Sequence, residues 1–339
     1  MRRVLRVSLV LLALVTAVLA AVAAYPFLVA GTETLVLDDT ARTALTASRG
    51  LAFAQLNDGY THYVWSGPAD GQPVVLVHGY TGPMRLWEGT AKALADGGFR
   101  VLRYDLFGRG YSDRPDARYD ADFFDRQLLE LLDAQQVTGP ANLVGHSMGG
   151  AIVVGFVDRH PERVWSYVLM APAGFPLHEP LRYRMLHWPG VGEWSMRMFG
   201  DATLVRALDR MGVPENDPYR RDYVEQMRYR GYKRALLATL RHMPLLTLEP
   251  VYRRAGASGK PAMLLWGTKD HVLPFDHHKR VRAAMPGIEF YAIEDADHTM
   301  QLEQPGVVHA LLAGFLSRVN GGSYIAPAGG RSSTTAAVP

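Results

Sequence analysis

The chain of 339 residues contains no cysteine. Disulfides, thiolate-held metals and cysteine nucleophiles are therefore excluded. It also lacks a meaningful excess of either charge. The net charge of +3 rests on Arg2, Arg3 and Arg6: 36 − 3 leaves 33 basic side chains against 33 acidic ones. Nothing in that balance points to nucleic acid. A glycine-rich phosphate loop and a His-x3-His metal spacing are both missing, so no cofactor and no metal is expected.

What is present begins with a run of 24 residues, Val7 through Ala30, without one charged side chain. A helix needs roughly 20 residues to cross a bilayer. Arginines precede the run, and Glu33, Asp38 and Asp39 follow it, which keeps the N-terminus cytoplasmic and exports the rest. A cleaved signal peptide is the rival, since Ala21, Ala23 and Ala24 offer small residues for a cleavage site. Apolar character continues through Tyr25, Phe27, Leu28 and Val29, which favours an uncleaved anchor over residues 1–31. The expected partner of residues 7–30 is thus the lipid bilayer. The protein would be single-pass with its domain on the non-cytoplasmic side, or secreted or periplasmic if cleaved. Residues 32–50 are mixed polar and read as a stalk.

From Leu51 the pattern is that of a folded domain. Two β-prone runs about Asn57-Asp58-Gly59 form a hairpin. Val74–Val77 is wholly apolar, as a strand buried on both faces would be. Strands and helices then alternate: helix 86–96, strand 99–104, helix 122–136, a strand at 142–144, helix 151–157 and strand 164–170. After an interruption come strand 262–266, helix 276–285, strand 288–293 and helix 304–319. Such alternation means a mostly parallel sheet with helices on both faces. The interruption, 175–260, has helix-like stretches and no strand alternation. Between Arg182 and Arg254 it holds 14 basic and 8 acidic residues. It also carries Met185, Trp188, Trp194, Met196, Met198, Phe199, Met211, Met227, Met243, Leu245 and Leu246. These either pack the insertion onto the body or line a site for an acyl chain beneath a basic rim facing anionic lipid. Residues 321–339 are rich in Gly, Ser, Thr, Ala and Pro and are expected to be disordered.

The centre of the pattern is Asn142-Leu-Val-Gly145-His146-Ser147-Met148-Gly149-Gly150. An apolar strand runs into an apolar helix through G-x-S-x-G, a turn sharp enough to strain the serine backbone and lift its hydroxyl clear of the sheet. Here the chain resembles the α/β-hydrolase family. The resemblance spans about Leu51 to Val319 and implies an α/β-hydrolase fold over 51–174 and 261–320, with 175–260 as an inserted helical cap. It implies a Ser-Asp-His order of site residues at successive strand ends. Ser147 would be the nucleophile, Asp270 in Gly267-Thr-Lys-Asp-His-Val the acid, and His298 in Asp295-Ala-Asp-His-Thr the base. Asp295 and Asp297 compete for the acid role, but the family pattern favours Asp270. His271 is expected to face solvent and His146 to pack behind the site.

The same likeness extends to His78-Gly79-Tyr80, which resembles the family's oxyanion loop. The backbone N–H groups of Tyr80 and Met148 would form the oxyanion hole, leaving the Tyr80 side chain to line the acyl pocket. Asp105-Leu-Phe-Gly-Arg-Gly-Tyr-Ser112 resembles a D-x-x-G-x-G-x-S loop with a structural role and no assigned chemistry. A serine at 147 excludes dehalogenase and epoxide hydrolase chemistry, which use a carboxylate there. A membrane-anchored serine esterase or lipase, acting without a cofactor on a lipid-like or monoacylglycerol-like ester, leads the readings. A carbon–carbon bond hydrolase, a cofactor-free perhydrolase, a proline-type aminopeptidase and a non-catalytic hydrolase-like binding domain remain open.

Overall fold

The computed structural model describes residues 2–28, 31–178 and 180–321. Most of the tail expected to be disordered, 322–339, lies outside them, as do residues 29 and 30 of the apolar run. Helix α1 (Arg2–Leu28) contains a stretch, Ser8–Leu28, long and apolar enough to cross a membrane; most of its side chains are exposed, and Pro26 near its end is buried. Helix α2 (Asp39–Arg49) follows, its first turn capped by the Asp38 carboxylate, which accepts from Ala41 N–H.

The segment 32–50 is not a free stalk. Leu35 exchanges backbone hydrogen bonds with Arg228 and Arg230, and the Glu33 carboxylate accepts from Lys233 N–H. Arg42 pairs with Asp113 at 2.7 Å. Side chains that look merely polar in sequence find partners nearly 200 residues away, and the segment lies bound along the domain.

The domain is built on one eight-stranded sheet. Strands β1 (Ala52–Leu56) and β2 (Gly59–Ser66) form the expected hairpin. Then come β3 (Pro73–Val77), α3 (Glu88–Asp96), β4 (Arg100–Tyr104), α4 (Ala121–Ala134), β5 (Ala141–His146), α5 (Met148–Arg159) and β6 (Val164–Met170). The insertion contributes α6 (Leu181–Arg184), α7 (Val191–Arg210), α8 (Pro218–Gln226), α9 (Tyr232–His242) and α10 (Glu249–Gly256), with no strand among its described residues. β7 (Ala262–Gly267), α11 (His277–Ala284), β8 (Glu289–Ile293), α12 (Met300–Glu303) and α13 (Pro305–Val319) complete the chain.

The strand order is β1-β2-β4-β3-β5-β6-β7-β8; β1/β2 and β2/β4 are antiparallel and every other pair is parallel. Continuous apolar runs such as Val74–Val77 and Met263–Trp266 are wholly buried, because helices cover both faces of the central strands. From β3 the chain steps outward to β4 and then returns across β3 to β5. The order therefore reverses between β3 and β5, where the loops leaving the two carboxyl ends open a crevice. The loop after β3 is 78–82 and the turn after β5 is at Ser147. A smaller apolar cluster joins the insertion to the body, with Leu204, Leu208, Tyr219, Tyr223, Met227 and Leu236 packed on Leu86.

Candidate active site

The turn between β5 and α5 is possible only because two glycines leave room. A Cβ on Gly145 would fall 2.4 Å from the Gly149 carbonyl oxygen, and one on Gly149 would fall 2.1 Å from the Val77 carbonyl oxygen. Strand, helix and the neighbouring β3 thus meet backbone to backbone. Ser147, squeezed between them, takes φ 56° and ψ −120°, a left-handed conformation costing on the order of 1–3 kcal/mol in a residue with a side chain. The surroundings hold it there: Ser147 N–H donates to Met170 O at 2.9 Å, and Ser147 O accepts from Ala173 N–H at 3.0 Å.

Asp270 and His298 are brought together from the ends of β7 and β8. His298 Nδ1 donates to Asp270 Oδ2 at 2.8 Å, in a pair whose carboxylate is fully buried. Asp270 Oδ1 accepts from the N–H groups of Val272 and Leu273, both at 2.8 Å, so the carboxylate cannot swing away. The competing acids are engaged elsewhere. Asp295 pairs with Lys269, and Asp297 takes the N–H groups of His271 and His298 and the ring of His271. The His271 side chain is largely exposed.

Ser147 follows His146, whose ring lies 4.7 Å from that of His298. Among the described residues Ser147 Oγ makes no hydrogen bond, to His298 or to any other group. His146 Nε2 donates to the His298 carbonyl at 2.8 Å, and its ring stands edge-on to the buried Trp87. It is thus more than a packing residue, since it ties the loop carrying His298 to the elbow carrying Ser147. Burial, with His298 nearby, pushes its pKa down to about 3, so the ring is neutral at any physiological pH.

The two expected oxyanion donors come from the two elements that flank the reversal point. Met148 N–H begins α5, and Tyr80 N–H belongs to the loop leaving β3. Neither donates to a protein group among the described residues. Gly79 lets this loop lie close to the elbow, as a Cβ there would come 3.3 Å from Ser147 Cβ. His78 anchors the start of this loop: its Nε2 accepts from Leu106 N–H at 2.9 Å, so the proton sits on Nδ1 and goes to Gly79 O. That tautomer must stay neutral, and burial lowers the His78 pKa to about 4.

The Tyr80 side chain, expected to line the acyl pocket, is fixed at its tip. Its hydroxyl donates to Leu236 O of α9 at 2.8 Å, because burial keeps the phenol protonated and demands an acceptor. Thr81 O accepts from Gln226 Nε2 at 2.8 Å and from the Tyr232 hydroxyl at 2.9 Å. The oxyanion loop is therefore hydrogen-bonded to the inserted helices at three points.

One residue beneath this loop was passed over in the sequence. Arg109, within the D-x-x-G-x-G-x-S stretch, is fully buried. Its Nε donates to Tyr80 O at 2.8 Å and its two terminal nitrogens to Phe107 O and Thr239 Oγ1. The rings of Tyr80 and Phe124 lie about the guanidinium. It has no carboxylate partner among the described residues, yet a guanidinium keeps its charge. The only sign of it in the sequence was an arginine between two glycines in a loop with an expected structural role. Asp105, at the start of the stretch, is a structural hub, as expected. It accepts from Met84 N–H, Tyr111 N–H and the His62 ring, and these bonds, together with charge, overcome burial and hold its pKa at about 2.

The apolar residues of the insertion do not act as one group. Met227 and Met243 are buried in the two apolar cores, whereas Trp188, Met198 and Phe199 are exposed on its outside. A single acyl-chain lining made of all eleven is not what forms.

A reversal point between β3 and β5, a serine on a strained strand-to-helix turn, and an Asp–His pair from the next strand ends define an α/β hydrolase. The chain belongs to the α/β-hydrolase fold family, whose model matches residues 72–305. It is 31% identical over 284 residues to the cis-3-alkyl-4-alkyloxetan-2-one decarboxylase of Xanthomonas campestris pv. campestris, covering 76% of this chain and 92% of that one. Over 266 residues it is 28% identical to the 2-hydroxy-6-oxo-6-(2'-aminophenyl)hexa-2,4-dienoic acid hydrolase of Metapseudomonas resinovorans, covering 76% and 88%. In fold it matches a bacterial membrane phospholipase A with a TM-score of 0.64 at 24% identity, covering 94% of this chain and 99% of that one.

Proposed function

We propose that the protein is a membrane-anchored serine hydrolase that cleaves carboxylic esters of lipid-like character, with its domain on the non-cytoplasmic side. The observation that carries the reading is the Asp270–His298 hydrogen bond beside a serine held at positive φ. Ser147 Oγ attacks the ester carbonyl as its proton passes to His298 Nε2; Asp270 holds the imidazole tautomer and stabilises the imidazolium. The N–H groups of Tyr80 and Met148 receive the oxyanion. Collapse of this intermediate expels the alcohol, protonated by His298, and leaves an acyl-serine. His298 then deprotonates a water that releases the acid and restores the serine. Hydrogen bonds to a serine nucleophile tighten when substrate binds, so the open Ser147 Oγ is compatible with this sequence of steps.

Lipid character is supported by the apolar helix α1 and by the likeness to a membrane phospholipase A, which extends over 94% of this chain. The test is a panel of p-nitrophenyl esters from C2 to C16, with a monoacylglycerol and a ring-cleavage dienone alongside. Turnover of the esters and monoacylglycerol supports the reading. A preference for the dienone would instead favour a carbon–carbon bond hydrolase; the relative from M. resinovorans is named as the hydrolase of a hexa-2,4-dienoic acid.

A further inference from the structure

Pro26 interrupts the hydrogen bonding of α1, since it has no N–H to offer the carbonyl of Val22 four residues earlier. Within lipid such a carbonyl needs another donor. The donor comes from the inserted helices: Trp194 Nε1 of α7 donates to Val22 O at 3.0 Å. One turn on, Arg197 donates to Pro26 O at 3.2 Å and its guanidinium stands over the Phe27 ring. The start of α7 therefore lies alongside the last two turns of α1.

That contact sets a depth. Ser8–Leu28 is 21 residues, about 30 Å at 1.5 Å per residue, which matches the hydrocarbon thickness of a bilayer. Val22 sits six residues before the end of the span, so Trp194 is level with a plane about 9 Å below that end. On α6, α7 and the turn between them, Leu181, Trp188, Met198 and Phe199 are 63%, 53%, 37% and 55% exposed. Arg184, Arg206 and Arg210, on the same two helices, have no acidic partner among the described residues. Exposed tryptophan and phenylalanine on helices that also carry arginines without acidic partners are the composition of a surface suited to a membrane interface.

We propose that the edge of the cap formed by Leu181, Trp188, Met198 and Phe199 is immersed in the outer part of the bilayer that α1 crosses. This rests on the reading of α1 as an anchor. It makes the insertion a membrane-contacting element, with Trp194 as the joint that keeps cap and anchor in register.

The absence of cysteine makes the test direct. Trp188→Cys and Phe199→Cys in the full-length chain each carry a single thiol for an environment-sensitive fluorophore. Leu14→Cys, inside α1, and Trp165→Cys, exposed at the opposite end of the sheet, serve as references. Each is reconstituted in phosphatidylcholine–phosphatidylglycerol vesicles and exposed to lipids spin-labelled high on the acyl chain, or to aqueous iodide. The proposal expects labels at 188 and 199 to be quenched by lipid several-fold more than by iodide, as at 14, with the reverse at 165. Iodide quenching at 188 and 199 with lipid quenching at 14 would overturn it while leaving the anchor intact. Iodide quenching at 14 as well would remove the anchor and the proposal together. Protection from both quenchers at 188 and 199 would mean that protein, such as a second copy of the chain, covers the edge, and would also overturn it.

Discussion

Arg109 Nε donates to the carbonyl oxygen of Tyr80 at 2.8 Å, in an interior where no carboxylate among the described residues pairs with the guanidinium. The peptide on the other side of Tyr80 carries the N–H assigned to the oxyanion. A buried cation tied to that residue does two things at once. On the proposed reading it would fix the donor's direction before the reaction begins and add positive potential where negative charge develops.

Arg109→Met should therefore lower kcat on a short ester by about 10- to 100-fold, less than the roughly 10²–10³ expected for losing a whole oxyanion donor. KM should change little, because the ground-state carbonyl gains less from that donor than the tetrahedral intermediate does. Steady-state kinetics checks this, with a melting curve to verify the fold. An effect on KM alone would assign Arg109 to substrate binding instead.

Asp270→Asn keeps the size of the side chain but offers an amide where His298 Nδ1 now donates. The imidazole would turn or change tautomer, and kcat should fall by about 10⁴-fold, the scale seen when the orienting acid of a serine triad is neutralised. Burst kinetics with a p-nitrophenyl ester should show acylation slowed by that factor.

The acid side of the stability curve follows from His78 and His146. Their folded pKa values, about 4 and about 3, lie below the ordinary value near 6.5. Between these values the unfolded chain binds protons that the folded chain refuses, so stability rises with pH. Their contribution is complete above about pH 6.5 and is lost as pH falls towards 4 and then 3. Each group adds up to about 1.4 kcal/mol per pH unit inside its window. Denaturant midpoints measured from pH 7 to 4.5 should fall steadily, and His146→Gln should flatten the slope by about one proton. Asp105 protonates only below this range, whereas His277, His278 and His309, whose pKa values burial also lowers, add to the same fall.

Gly149→Ala places a methyl 2.1 Å from the Val77 carbonyl oxygen and 2.6 Å from that of His78. Both are backbone atoms of the adjacent strand and loop, so neither can rotate aside. The expected cost is about 3 kcal/mol or more, beyond ordinary overpacking. Thermal melts of this variant should fall well below those of Gly155→Ala, where a Cβ meets nothing within 4 Å.

The sheet could be read in the sequence because its central strands are buried on both faces, which leaves uninterrupted runs such as Val74–Val77 and Ala262–Trp266. Ser147 and Asp270 were legible because each follows such a run, and His298 because it follows the next strand, β8, which is only partly buried. What could not be read depends on partners far away in the chain. Arg109 looks like any loop arginine until Tyr80 and Thr239 close around it. Residues 32–50 look like a solvated stalk because their partners, Asp113, Arg228 and Lys233, carry no local signature. The aromatic residues of the insertion follow no helical stripe that would separate those packed inward from those facing out.

The most direct measurement is mass spectrometry of the full-length protein after reaction with a fluorophosphonate. The account predicts one adduct, on the peptide containing Ser147, lost in Ser147→Ala and formed far more slowly in His298→Gln. An unmodified wild-type protein, or an adduct that persists in Ser147→Ala, would contradict it.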